Sequence, residues 1–239
     1  MKGKLYLVAT PIDEENELHP KAKQTLLTAY AENKEYSLFL VEDMKSGRRR
    51  WVHFGLPREA IPELILYNEH TRGEILPQII SQIKRGKNAY LMSDGGLPAF
   101  MDPGQELVWT CHQEKIIVDA MPFFNSTLLA LALSGFPADQ HTFHGYFPKD
   151  AELREKKAGE ILKQSHAHIL LDTPYRLQRL LQDFAKSESL NGPRRKYFLA
   201  MDLGSSQQEY MSGGIANLLQ HAEAMKKREF VLVIAPTNF

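Results

Sequence analysis

Short runs rich in Val, Leu and Ile alternate along this chain with longer stretches whose apolar residues recur at helical spacing, a pattern that only a few folds can use. The runs predict strands over Leu5–Ala9, Ser37–Val41, Leu64–Tyr67, Ala89–Ser93 and Ile116–Ala120. Between them the spacing predicts helices over Pro20–Glu32, Gly73–Lys84 and Gly104–Gln113. In the second helix Ile75, Leu76, Ile79, Ile80 and Ile83 fall on one face. Near-continuous apolar strands separated by helices imply a parallel sheet covered on both sides.

The pattern then restarts. Ser126–Leu133 reads as an apolar helix, opened by Asn125, Ser126 and Thr127, any of which can cap it. Strands are predicted over His141–Gly145, His168–Asp172, Tyr197–Met201 and Phe230–Ala235, with helices over Ala151–Gln164, Tyr175–Ala185 and Ile215–Lys227. The expectation is an α/β chain of two domains, a parallel-sheet domain over 1–119 and a mixed-sheet domain over 120–239, hinged near Asp119–Pro122. The active site is expected in the cleft between them.

One segment demands more than a plain connection. The strand ending at Met92 runs into Ser93-Asp94-Gly95-Gly96-Leu97-Pro98-Ala99-Phe100-Met101-Asp102-Pro103-Gly104. Paired glycines admit positive φ and close approach to the main chain. In open α/β sheets ligands bind at the carboxyl edge of the strands, which is where Asp94 falls. A long loop there, punctuated by Gly and Pro, reads as a ligand cradle.

Composition excludes several classes. The chain has 239 residues, 43% hydrophobic and 24% charged, without an apolar run of the ~20 residues a membrane helix needs. The opening Leu5–Ala9 run is too short for a signal peptide and meets Asp13, Glu14 and Glu15, so it reads as a buried strand in a cytoplasmic protein. Cys111 is the single cysteine, which rules out an intrachain disulfide and a cysteine-based metal site. Nine histidines show no metal-ligand spacing; His166 and His168, alternating on a strand, are expected to point to opposite faces. With a formal net charge of zero there is no global attraction for phosphates, and Arg48-Arg49-Arg50, Arg194-Arg195-Lys196 and Lys226-Lys227-Arg228 read first as solvated faces.

Several strings, in order, carry a likeness. They are Leu5-Tyr6-Leu7-Val8-Ala9-Thr10-Pro11-Ile12, Val41-Glu42-Asp43, Asn68-Glu69-His70-Thr71 and the glycine-bearing loop. Asn125-Ser126-Thr127, Ser134-Gly135-Phe136-Pro137, Phe143-His144-Gly145-Tyr146-Phe147-Pro148 and Leu171-Asp172-Thr173-Pro174-Tyr175-Arg176 follow. In this order and spacing the chain resembles the tetrapyrrole methylase superfamily, the class III S-adenosylmethionine-dependent methyltransferases, and within it the bacterial 16S ribosomal RNA cytidine 2'-O-methyltransferases. The chain departs from the family pattern at Asp13-Glu14-Glu15, Gly95-Gly96-Leu97, Phe123-Phe124 and Met201, where the family carries Gly-Asn-Leu, Ala-Gly-Thr, a glycine-proline step and an arginine.

The resemblance implies S-adenosyl-L-methionine as cofactor. By likeness Thr10, Pro11, Ser93, Asp94, Gly95, Gly96, Pro98 and Asp102 line it on one side, with Ser126 and Thr127 at a helix start where free N–H groups hold a carboxylate. Leu171, Asp172, Thr173, Ala200 and Pro236 form the adenine side. Ordinary cap and core roles compete for Ser126, Leu171 and Ala200. It implies further a homodimer that acts on ribosomal RNA or the small ribosomal subunit, without a membrane.

A ribose hydroxyl is a poor nucleophile until its proton is taken, so a base within reach helps. Asp43, Glu42, Glu69 and His70 are the candidates, although capping and solvation account equally well for Glu42 and Asp43. Arg48, Arg49, Arg50 and Arg72 are candidate phosphate contacts, since Arg grips phosphate bidentately. Trp51 and Phe54 suit either base stacking or a helix core. Two alternatives stay open: a methyltransferase of the same fold acting on a tetrapyrrole or other small molecule, suggested by the acidic 13–15 loop, and a catalytically inactive cofactor- or RNA-binding module, suggested by Met201.

Overall fold

A computed structural model describes residues 2–123, 125–190, 192, 194–224 and 227–239, with residues 223 and 224 as backbone alone. Phe124 and Lys226, singled out above, lie outside the described residues. Chain contacts divide the molecule into two units, Met1–Phe124 and Asn125–Phe239.

The first unit contains β1 (Lys4–Val8), α1 (Pro20–Asn33), β2 (Ser37–Val41), α2 (Met44–His53) and β3 (Leu64–Leu66). It continues with α3 (Arg72–Lys84), β4 (Asn88–Met92), α4 (Gly104–Gln113) and β5 (Ile117–Ala120). The strands form one sheet in the order β3-β2-β4-β1-β5, parallel throughout. Strand periodicity sorts the side chains. Tyr90 and Met92 face Ala22, Leu26 and Trp51 of α1 and α2, while Ala89 and Leu91 face Ile79, Ile83 and Leu107 of α3 and α4. Ile83 and Leu91 are buried to within 1% of full, and such a side chain contributes about 1.5–3 kcal/mol.

Helix starts follow local chemistry. Pro20 opens α1, where a missing N–H costs nothing, and the His19 ring accepts the Lys21 N–H at 3.2 Å. Asp43 caps α2, accepting the Ser46 N–H at 2.7 Å. Trp51 and Phe54 are fully buried, so the helix-core reading holds for both and stacking on a base does not. Trp51 also donates its indole N–H to Pro57 O at 2.8 Å. β5 is not closed by an apolar front; three of its four residues are exposed at the sheet edge. The sheet runs through Ala120, and Met121 N–H reaches Leu7 O at 2.9 Å.

The second unit contains α5 (Ser126–Ser134), β6 (His141–Phe143), α6 (Ala151–Leu162), β7 (Ala167–Asp172) and α7 (Leu177–Ser189). It ends with β8 (Tyr197–Met201), β9 (Glu209–Gly213), α8 (Ile215–Ala224) and β10 (Phe230–Ile234). The sheet order is β6-β7-β10-β8-β9, with β6 parallel to β7 and the other pairs antiparallel. Helices α6, α7 and α8 cover Leu170, Leu199, Met201 and Leu232 on one face. Helix α5 covers Ile169, Ala200, Val231 and Val233 on the other.

Two expectations are corrected here. His166 and His168 do not point apart: two positions along an extended strand return to the same face, and their rings lie 4.5 Å apart between centroids. His144 joins them, with Nε2 2.9 Å from His168 Nδ1, while Thr142 Oγ1 lies 2.7 Å from His166 Nε2. Burial pushes the imidazoles of His144 and His168 down to about 4 and about 3, so these two rings are neutral. Among the described residues no group of three His, Cys, Asp or Glu is arranged to hold a metal ion.

The second correction concerns the basic clusters. Arg195 is 4% exposed rather than solvated, and its guanidinium donates to the carbonyls of Leu162, Gln164, His166 and Ala235 at 2.7–3.0 Å. Arg194 and Lys196 beside it are exposed. Arg228 is likewise taken up by Asp202 and Glu209.

Candidate active site

Because β2, β4 and β1 are neighbours, their carboxyl ends bring Glu42, Ser93–Asp94 and Thr10 to one edge of the first sheet. There the loop after β4 turns back on the chain after β1. Thr10 donates its N–H to Gly96 O at 3.0 Å and accepts the Gly96 N–H at 2.9 Å. Thr10 Oγ1 donates to Ser93 O at 3.0 Å, and Ser93 Oγ donates to Gly96 O at 2.6 Å. Gly96 holds φ +88°, in the left-handed region that a side chain resists.

The next turn is built around Asp102. Its Oδ1 accepts the N–H groups of Ala99 at 3.0 Å and Gly104 at 2.7 Å, and Oδ2 accepts that of Phe100 at 3.2 Å. These bonds hold Ala99 at φ 62° and Met101 at φ 71°, a conformation costing each residue about 1–2 kcal/mol. Gly104 is required for space: a Cβ there would lie 2.7 Å from Asp102 Oδ1 and 2.8 Å from a Leu91 methyl. Sequence reasoning places Asp102 in the loop without revealing that it organises three amides.

The acids separate into distinct environments. Glu42 is mostly buried; Oε2 accepts the Asp94 N–H at 3.2 Å, and its backbone O accepts from Asn68 Nδ2 at 3.2 Å. Burial and the neighbouring Asp102 push its carboxyl up to about 7. Burial also raises Asp102, against the pull of its three amides, and raises Asp94, with Asp43 adding to the effect. Asp94 Oδ1 is buried without a protein donor. Glu69 and His70 stand apart in solvent after β3, where they pair with each other at 3.4 Å.

The four arginines also part ways. Arg50 is 3% exposed, and its Nη1 donates to Pro11 O at 2.7 Å, with Nη2 3.5 Å from Ile12 O. Its two Nη groups shape the chain after β1 while Nε is buried without an acceptor, and this burial corrects the reading of Arg50 as a phosphate contact. Arg49 is exposed and bonded to Glu14. Arg48 is exposed, and Arg72 meets Glu106 at 3.4 Å.

In the second unit Asn125, not Ser126 or Thr127, caps α5: its Oδ1 accepts the Leu128 N–H at 3.0 Å and the Thr127 hydroxyl at 2.6 Å. Asp172 is 2% exposed; Oδ1 accepts the Thr173 N–H at 2.8 Å and lies 3.2 Å from Arg176 Nη1, while Oδ2 has no donor. Arg176 also donates to Phe147 O at 2.9 Å, tying the loop after β6 to the end of β7. Leu171 and Ala200 lie on the α5 face and Asp172 on the other, so the strand does not gather the expected adenine-side residues on one face. Thr173 is exposed, and Pro236 is half-buried just beyond β10.

This strand-edge loop lies inside a recognisable whole. The model of the tetrapyrrole (corrin/porphyrin) methylases matches residues 4–219. The chain belongs to that family, and it is an S-adenosylmethionine-dependent methyltransferase.

Particular relatives narrow the likeness. The chain is 30% identical over 234 residues to the ribosomal RNA small subunit methyltransferase I of Synechocystis sp., covering 98% of this chain and 79% of that one. It is also 30% identical to the Thermotoga maritima protein of the same name, covering 97% of each. Among solved structures, the fold matches the uroporphyrin-III-C-methyltransferase of Thermus thermophilus with a TM-score of 0.57 at 18% identity, over 99% of this chain and 96% of that one. Cobalt precorrin-4 methyltransferase matches at a TM-score of 0.60 and 12% identity, over 97% and 94%.

Proposed function

We propose that this methyltransferase modifies a ribose 2'-hydroxyl in small-subunit ribosomal RNA. The observation that carries the RNA part of the reading is the 30% identity, spread over nearly the whole of both chains, to a protein named a ribosomal RNA small subunit methyltransferase; the ribose 2'-hydroxyl is what the family resemblance adds. The cofactor supplies an electrophilic methyl on a sulfonium. Thr10, Pro11, Ser93, Asp94, Gly95, Gly96, Pro98 and Asp102 of the first unit are the contacts proposed for it, and Ser126, Thr127, Leu171, Asp172, Thr173, Ala200 and Pro236 of the second unit are candidates by the family resemblance alone.

The residues present fit such a group. Asp94 Oδ1 is buried and lacks a donor, and a ribose hydroxyl or an ammonium would satisfy it. The bridged Gly96 turn presents main chain without a Cβ. Holding acceptor and methyl in line in a water-poor site supplies much of the rate. Asp43, Glu69 and His70 are the solvent-facing candidates for taking the hydroxyl proton. Arg48, Arg49 and Arg72 are exposed on the first unit and supply phosphate contacts. We infer also a homodimer, since pairing would double a small basic surface, and a cytoplasmic site of action, where small ribosomal subunits are found.

Transfer of a labelled methyl group to small ribosomal subunits tests the reading. Subunits from a strain lacking the gene are expected to accept one methyl at ribose, and subunits from the parent strain none. Equal labelling of both, or labelling of a tetrapyrrole instead, would displace it.

A further inference from the structure

Two tyrosines project from one edge of the second sheet, on loops that a single arginine ties together. Arg176 Nη1 donates to Phe147 O at 2.9 Å and lies 3.2 Å from Asp172 Oδ1, while Nη2 donates to Pro148 O. Tyr146 precedes Phe147 and Tyr175 precedes Arg176, so this knot holds both. The Tyr175 turn is itself closed, with the Arg176 N–H donated to Thr173 O at 2.9 Å. Yet Tyr175 is 74% exposed, more than any other large hydrophobic side chain among the described residues, and Tyr146 is 50% exposed.

Cations collect at the same edge. Because β10 runs antiparallel to β7 and Phe230 pairs with Asp172, the chain entering β10 passes the Tyr175 turn. Lys227 Nζ there lies 4.2 Å from the Tyr175 ring centroid. Lys157 Nζ of α6 lies 5.1 Å from the centroid of Phe147. Lys149 continues the Tyr146 loop, and Arg179 follows Tyr175 by about one helical turn; both are exposed. Arg176 and Arg228 are taken up by acids, whereas Lys149, Lys157, Arg179 and Lys227 make no ion pair among the described residues. Asp150, which caps α6, and Glu229 are the acids left beside them, so positive charge is in excess.

Exposed rings set among unpaired cations match one kind of partner. Unstacked bases offer flat faces to aromatic side chains, and the phosphates between them meet ammonium and guanidinium groups. We propose that this edge of the second unit docks a single-stranded segment of the RNA substrate, with bases stacked on Tyr146 and Tyr175 and phosphates on Lys149, Lys157, Arg179 and Lys227. This deepens the substrate reading above and rests on it, adding a second contact surface to the arginines of the first unit. Lys227 covers one face of the Tyr175 ring and leaves the other for a base. The Arg176 knot fixes both rings before the strand arrives, which keeps the ordering cost of binding low. Tyr175 follows Thr173, a candidate cofactor contact, by two residues, so a strand held here runs beside that candidate.

Fluorescence anisotropy of the full chain with a labelled single-stranded RNA of about 10 nucleotides tests the surface. Tyr146→Ala and Tyr175→Ala are each expected to raise Kd about tenfold, and Tyr175→Phe to keep the wild-type value, since stacking needs the ring and not the hydroxyl. Lys227→Gln should weaken binding and lower the salt slope by about 0.7, the share of one phosphate on a single strand. The same sequence as a duplex should compete poorly, because its bases are already stacked. Urea midpoints of both alanine variants should match wild type, as the rings are exposed. No binding by wild type, wild-type Kd in both alanine variants, or equal competition by the duplex would overturn the surface. Normal RNA affinity in those variants with binding to whole subunits lost would also overturn it, and would assign the edge to a ribosomal protein. Subunits that accept no methyl, with Tyr175-dependent binding of the single strand intact, would leave the surface standing and remove the substrate reading.

Discussion

Thr10 and Gly96 exchange both backbone hydrogen bonds, at 3.0 and 2.9 Å, as an isolated antiparallel bridge between the chain after β1 and the loop after β4. Replacing Gly96 by Val puts a branched side chain at φ +88°, where it costs about 1–2 kcal/mol and distorts the bridge. The expected result is a modest drop in urea midpoint and a Kd for S-adenosylhomocysteine raised at least about tenfold, the factor of 1.4 kcal/mol. Unchanged affinity in a folded G96V protein would detach this turn from the cofactor.

The histidine cluster makes the second unit sensitive to acid. His144 and His168 have folded values of about 4 and about 3, below the ordinary 6.5, so the unfolded chain binds protons first. Stability from these groups is present above about pH 6.5 and falls away as pH drops through 4 toward 3. Urea midpoints followed by a probe in the second unit should decline across that window. His168→Leu should flatten the decline, and an unaltered slope would show that the cluster is not its source.

Arg195 stitches three chain segments through four carbonyls. Truncating it strands those acceptors in the interior, at about 1–3 kcal/mol for each group left unsatisfied. Arg195→Ala is expected to destabilise by about 3 kcal/mol or more, whereas Arg194→Ala, on the surface beside it, should change little. Chemical denaturation of the pair decides the matter: similar midpoints would refute the pinning role.

Surface arginines on the first unit can be tested apart from the cofactor. Arg48→Glu and Arg72→Glu should lower kcat/KM on ribosomal subunits. Each should also reduce the salt dependence of binding by about one unit of slope for every phosphate no longer neutralised. Affinity for S-adenosylhomocysteine should stay as in wild type. Arg50→Glu should instead perturb folding, because its charge is buried against Pro11. An unchanged salt slope in both surface variants would direct the search for the RNA face elsewhere.

Much of the fold is legible in the sequence because buried strands announce themselves. Ser37–Val41 and Tyr197–Met201 match their predicted bounds to the residue, the first apolar after Ser37 and the second apolar throughout, with all five residues buried in each. Glu209–Gly213 escapes such a reading: Glu-Tyr-Met-Ser-Gly at an exposed edge needs only one partner strand and no apolar front. Helix α2 is obscured by Gly47 and three consecutive arginines, although Trp51 and Phe54 hint at a core face.

At the site, the loop and its two key glycines stand out from their composition. The partition of the acids and arginines does not. Arg48, Arg49 and Arg50 look alike in a string, yet α2 rotates the third inward to the Pro11 carbonyl. Glu42 and Asp43 are adjacent, yet one accepts the Asp94 N–H of the loop after β4 and the other caps a helix. Such assignments depend on which side of an element a residue falls and on partners far away along the chain.

The placement of β1 bears on how the protein is made. β1 lies between β4 and β5, and its Lys4 amide is held by Asn88, 84 positions further on. A ribosome at ordinary elongation speed spends several seconds or more on that stretch, during which a strand with fully buried Leu5 and Val8 has neither neighbour. Nascent chains cut short before β4 should therefore recruit a holdase chaperone through Leu5–Val8, and chains reaching past Ala120 should let it go.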